Sequence, residues 1–451
     1  MYPMGSRQTT RFFNQDRQRR DDAGARRRLS GVVGRWGPGA SPPGRLTRMM
    51  VRCENLAGLR IGPHHRPATA SLRRAPTAMA SIKRAISLCC LATILLLLAA
   101  CSGSPPTSGG SAANAPAATS QSSASTATMA IGNFQEYALP QKNSSLMRPA
   151  IDHEGRIWFG EMGHNYLAFF DPRTHTFEQL TPPHGASGIM GVTVAADDSI
   201  WFAEQYANYI GHYFPATRQF RIYDLPTLKT PDPSNKNATL TLPSAPNEIA
   251  LDTHGNVWFT ELNADSLGML NPVTGHIKQY PLSTHRSVQE LNPYGITIDP
   301  LGAVWFTEAS TNHIGRLDPR TGKISLYTLQ GSNNPLMEIA SDAHGNIWAT
   351  SFDAGLLLRF VPRTGTFTPY YAPYTGTSAG GLYGLLVTPK GEVWTTVTAE
   401  NAIARLDVAS GHFTCYQIPT PNSLPLGLVM DAQHTIWFTE AAGNKVGELK
   451  P

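Results

Sequence analysis

Gly295-Ile-Thr-Ile-Asp299, Pro300-Leu-Gly302, Ala303-Val-Trp-Phe-Thr-Glu308, Ile314-Gly-Arg-Leu-Asp318, Pro319-Arg-Thr-Gly322 and Ile324-Ser-Leu-Tyr-Thr-Leu329 follow one another between Asn292 and Gln330. This one stretch decides the fold. Apolar and polar residues alternate within short runs bounded by Gly, Pro, Asn and Asp, which is what half-buried antiparallel strands require. Four strands are predicted here, from an inner one at Gly295 to an outer one at Ile324, with no 3.6-residue periodicity.

The unit repeats. Its tryptophan recurs at Trp158, Trp201, Trp258, Trp305, Trp348, Trp394 and Trp437, with gaps of 43, 57, 47, 43, 46 and 43 residues. A period of about 40–50 residues with four strands per unit marks a β-propeller, so seven copies predict an all-β, seven-bladed propeller. The outer strands test the number independently, beginning at Phe134, Phe177, Phe220, Ile277, Ile324, Phe367 and Phe413. The first precedes the first tryptophan, whereas Val446-Gly-Glu-Leu-Lys450 is a third strand with no fourth after it. The N-terminal strand is therefore expected to complete the last blade, leaving no open edge. One tryptophan per blade at a fixed strand position reads as packing between blades, worth at most about 4–6 kcal/mol each from about 150–250 Å² of buried side chain.

The 451 residues divide by composition. Met79-Ala-Ser-Ile-Lys-Arg84, an apolar run from Ala85 to Leu98, and Leu98-Ala-Ala-Cys101 have the order of an export signal. They resemble a bacterial lipoprotein signal, which implies cleavage before Cys101 and its acylation. The apolar run is short for a membrane span. Residues 1–78 hold sixteen arginines against Asp16, Asp21, Asp22 and Glu54, a balance of +12. A basic tail of this kind suits nucleic acid, but a signal works at an N-terminus, so translation is expected to start at Met79. Without residues 1–100 the chain has 19 basic and 28 acidic residues, a balance of −9. The formal +5 of the whole sequence is thus misleading, and nucleic acid is excluded as an expected partner.

The expected organisation is an N-terminal extension over 1–78, a signal over 79–100, a tether over 101–133 and the propeller over 134–451. The tether is rich in Ser, Ala, Thr and Pro and reads as a flexible spacer. Cys101 and Cys415 alone remain in the mature chain, so no disulfide framework is expected. An extracytoplasmic, membrane-anchored monomer follows.

Chemistry is expected at the end of the ring where the second strands finish. Glu161, Glu204, Glu261, Glu308 and Glu440 stand there, three residues after their tryptophans, with Ser351 and Val397 in the other two blades. Carboxylates converging on one axis would raise one another's pKa unless a cation or donors compensate; the alternative is that each bonds within the blades. Tyr294 and Tyr383 are further mouth candidates. His164, His184, His285 and His313 lie in loops at this end, making them the candidate general bases. The 57-residue gap places an insertion, Thr227 to Leu242, at the same end as a candidate lid.

Gly-Ile-Thr-Ile-Asp, Val-Trp-Phe-Thr-Glu and Asn-x-Ile-Gly-Arg-Leu-Asp-Pro-x-Thr-Gly together resemble the virginiamycin B lyase, or streptogramin lyase, family of seven-bladed propellers, over residues 134–451. The resemblance implies Mg²⁺-assisted elimination that opens a cyclic depsipeptide at its ester, with a base taking the α-proton and an acid assisting departure. It also implies histidines in Pro-His-Gly or Pro-His-Ala sequences where the inner strands of the last two blades start. This chain has Leu382-Tyr383-Gly384 and Pro425-Leu426-Gly427 there. Glu440 is near the family's last-blade acid, and Pro183-His184-Gly185 has the motif out of register. The expectation is a propeller that binds a small molecule, peptide or glycan; the competing one is a C–O lyase with its base moved to His184 or His285 beside Glu440. A lactonase-type propeller is a weaker third, without a recognisable metal-ligand set.

Overall fold

A computed structural model describes residues 127–451 apart from 185–187, 233–234, 283–290, 331–334 and 373–380, with side chains outside 230–237. His285 and Cys101 lie outside the described residues. Every element described is a strand; seven sheets are blades of a propeller, and an eighth, two-stranded sheet is formed by the insertion. In the fourth blade the strands are Pro293–Ile298, Val304–Glu308, His313–Leu317 and Ile324–Thr328, antiparallel throughout. The first strands of successive blades touch in order, and that of the seventh touches that of the first. Asn133–Ala138 is the fourth strand beside Lys445–Lys450 in the seventh blade. Ala127–Ala130 adds a fifth, parallel strand to the outer edge of the sixth.

The tryptophans connect neighbours. Trp158 packs with Ile189, Val192 and Phe202 of the second blade, Trp258 with Ile296 and Phe306 of the fourth, and Trp437 with Leu146 and Phe159 of the first. In five of the seven repeats an Asp makes the turn before the tryptophan. Asp299 Oδ1 accepts from the backbone N–H groups of Leu301 and Ala303, both at 2.9 Å, while Oδ2 accepts the Trp305 indole N–H at 2.8 Å. Gly302 sits at φ +80°, the left-handed region where a side chain is strained. Asp152, Asp252, Asp342 and Asp431 receive their tryptophans' N–H likewise.

The threonine before the glutamate ties blade to blade. Thr260 Oγ1 accepts the Glu248 N–H at 3.1 Å and donates to the Tyr294 carbonyl of the next blade at 2.8 Å. Its acceptor role occupies a bulge in the inner strand, where the register shifts between Pro246 and Ile249. Equivalent shifts occur at Pro293/Ile296, Leu336/Ile339 and Leu382/Leu385. Bulges re-aim side chains, and these aim theirs at the axis.

Candidate functional site

The bulged inner strands supply two successive positions around the axis. The first holds Met147, Met190, Asn247, Tyr294, Met337, Tyr383 and Leu426, each one residue beyond the partner of the second strand's last residue. Five of these make one apolar cluster with Met162, bordered by half-buried Met337, Tyr206, Leu262, Phe352 and Leu424. The mouth therefore has a floor of thioether, aromatic and aliphatic groups. The Tyr294 and Tyr383 hydroxyls hydrogen-bond each other across it. Burial first, then the neighbouring Tyr294, pushes the Tyr383 hydroxyl well above the ordinary tyrosine range, so it stays protonated.

The second position reads Arg148, Gly191, Glu248, Gly295, Glu338, Gly384 and Gly427. The glycines let inner strands approach one another: a Cβ on Gly295 would lie 2.6 Å from the Met337 carbonyl oxygen, and one on Gly384 2.8 Å from that of Leu426. Arg148 occupies the space so left. Its guanidinium pairs with Glu248 through Nη2 and with Glu338 through Nη1, and lies 5.5 Å from the Tyr294 ring centre. Two carboxyls face one guanidinium. Burial, opposed by Arg148 and reinforced by the Glu248 charge, pushes Glu338 up to about 7, and burial likewise raises Glu248. Both carboxyls thus hold a proton more readily than exposed ones do.

The glutamates of the second strands do not converge on the axis. Glu161, Glu204, Glu261, Glu308 and Glu440 are fully buried, on the strand face opposite the tryptophan, because each stands two residues after the Phe and shares its side while the Trp, one residue before that Phe, does not. Their partners are local. Gln179 Nε2 donates to Glu161 at 2.6 Å and Gln279 Nε2 to Glu261 at 2.8 Å, where Ser266 also donates. Glu308 accepts from Thr311 at 2.6 Å and faces His313 Nδ1 at 2.9 Å. Glu204, with Tyr209 to favour its charged form, is pushed up to about 8 by burial.

Mg²⁺ does not fit this set. Three of the carboxyls are already bonded within their blades, and among the described residues no three His, Cys, Asp or Glu side chains gather around one point.

His184 is exposed, its ring edge-on to Tyr209 at 5.5 Å. Glu440 is in the seventh blade with Glu136 and Lys445 as its charged neighbours, so the two are not brought together. His164 bonds the Lys142 carbonyl at 2.7 Å. The insertion forms a two-stranded hairpin, Thr227–Asp232 with Asn235–Pro243, rising from the mouth end. Its base is fastened by Asn208 to the Leu225 carbonyl at 3.0 Å and by Asn263 to that of Pro243 at 3.0 Å.

Arg148, Glu248 and Glu338 were missed from sequence. The available signal was their departure from glycine at one repeat position, visible only after the bulge aligns the inner strands.

The Virginiamycin B lyase family profile matches residues 117–376 and 237–451. Among solved structures the chain is similar to a streptogramin B lyase, at 26% identity and TM-score 0.61, over 71% of this chain and 97% of that one. A selenomethionine-substituted virginiamycin B lyase from Staphylococcus aureus is similar at 23% identity and TM-score 0.61, over 71% and 99%. A catalytically inactive virginiamycin B lyase from that organism, with quinupristin, is similar at 24% identity and TM-score 0.60, over 71% and 99%. No curated protein matches.

Proposed function

The chain belongs to the virginiamycin B lyase family, and from that premise we propose that it is a binding member of it: an exported, lipid-anchored propeller that takes an apolar small molecule or peptide onto its axial floor. One observation carries the reading. Tyr383 and Leu426, at the starts of the last two inner strands, are packed into the floor with Met147, Met190 and Tyr294. An aliphatic side chain and a tyrosine held protonated cannot take an α-proton, and a positioned base is worth about 10²–10⁴-fold in such a step. A glycan would find few hydrogen-bonding partners on this floor.

The test is a quinupristin ring-opening assay with Mg²⁺ and with EDTA, beside calorimetry for binding. No Mg²⁺-dependent turnover is expected. Turnover lost in His184→Ala, His285→Ala or Glu440→Gln would instead establish the second reading, an active C–O lyase with a relocated base. That reading draws on the exposed His184 beside Tyr209. Anchoring at Cys101 is checked by membrane fractionation of wild type and Cys101→Ser; wild-type protein found only in the soluble fraction would refute it.

A further inference from the structure

The seventh blade closes the ring with a strand from the other end of the described chain, and it differs from the first and third blades at one pair. In the first and third blades the buried glutamate is met by a glutamine of the outer strand, Gln179 opposite Ala168 and Gln279 opposite Gly268. The corresponding residue on the closing strand, opposite Gly447, is Glu136. A carboxyl thus takes, beside Glu440, the register position that an amide holds in the first and third blades. Glu440 is fully buried, with Ser423 as the hydroxyl that favours its charged form. Glu136 is occupied: it accepts from the Thr420 N–H at 2.9 Å, the Thr420 hydroxyl at 2.6 Å and Lys445 Nζ at 2.7 Å.

The charged groups facing Glu440 are Glu136 from the closing strand and Lys445 from the third strand, while the loop before the blade presents Ser423. One ammonium serves two carboxyls. We propose that Glu136 and Glu440 form a proton-operated clasp on the ring closure: with a proton on Glu440 the closing strand is held, and loss of that proton sets two carboxylates against Lys445 and loosens it. The electrostatics agree with this. Burial, then the Glu136 charge, pushes Glu440 up to about 7. Glu136 stays ionised, because Lys445 and Thr420 outweigh its own burial and hold it below the usual range. Neighbouring like charges drive two pKa values apart in this way.

Hydrogen–deuterium exchange on the whole protein, corrected for intrinsic rates, tests the clasp. Between pH 6 and 8.5, protection of residues 133–138 is expected to fall at least tenfold relative to the outer strand Thr366–Tyr371 of the fifth blade. Glu136→Gln, which restores the glutamine of the sibling blades, and Glu440→Gln should each flatten that profile. A flat wild-type profile, or one equally steep in both variants, would overturn the proposal. Should a variant fail to fold, the wild-type comparison of the two strands still decides.

Discussion

Arg148 of the first blade and Glu338 of the fifth are ion-paired across the axis, 190 residues apart in the chain. With Glu248 of the third blade on its other side, the guanidinium braces blades that are not neighbours. A buried pair adds little over a well-packed apolar group, but removing one partner leaves uncompensated charge.

Arg148→Met should therefore destabilise by about 3–5 kcal/mol, read as the shift in denaturation midpoint. Glu338→Gln at pH 6 should cost far less, because burial favours the neutral form of this carboxyl. Equal effects of the two substitutions would refute the brace.

Phe306 and Gly315 face each other across the second and third strands. A Cβ on Gly315 would stand 2.0 Å from the ring, so Gly315→Val should cost about 1–3 kcal/mol or more by overpacking. The fifth blade has the arrangement reversed, Ala349 opposite Leu358. Phe306→Ala combined with Gly315→Leu is thus expected to recover part of the loss, measured by a double-mutant cycle.

The sixth blade has Thr388 where five others have the turn aspartate. Its hydroxyl accepts the Glu392 N–H at 3.1 Å, but the Trp394 indole nitrogen is buried without a partner. Thr388→Asp should stabilise by about 1 kcal/mol, and Asp299→Ala destabilise by about 1–3 kcal/mol. Melting temperatures moving the other way would show that the turn, not the indole, sets the residue.

Mild acid should stabilise this protein. Glu204, Glu338 and Glu440 are raised to about 8, 7 and 7, from an unfolded value of about 4.3. A raised carboxyl binds its proton better when folded, so its contribution is full below the unfolded value and is lost as pH rises through the folded one. Melting temperature should fall from pH 5.5 to 8.5, and Glu204→Gln should reduce that slope. Asp252 and Asp342, lowered by their turn and indole partners against the opposing effect of burial, act the other way only at lower pH.

Local repetition made the blades legible. Each Asp-x-x-Gly-x-Val-Trp-Phe-Thr-Glu unit encodes its own turn, strand and interblade tryptophan within a dozen residues, and such contacts recur wherever the pattern does. For the glutamates the same locality left two readings open, convergence on the axis or bonding within the blades. Glu161 and Glu261 bond to a glutamine eighteen residues later on the outer strand of their own blade, a geometry that spacing from the tryptophan does not express.

What the sequence by itself determined was the all-β, seven-bladed ring and the neutral residues Tyr383 and Leu426 where the inner strands of its last two blades start. The tertiary structure alone decided the site: seven bulged strands had to close before Arg148 could meet Glu248 and Glu338, or Glu136 meet Glu440. Contacts at an axis and at a closure join residues brought together only by the complete ring, so no local pattern in the chain carries them.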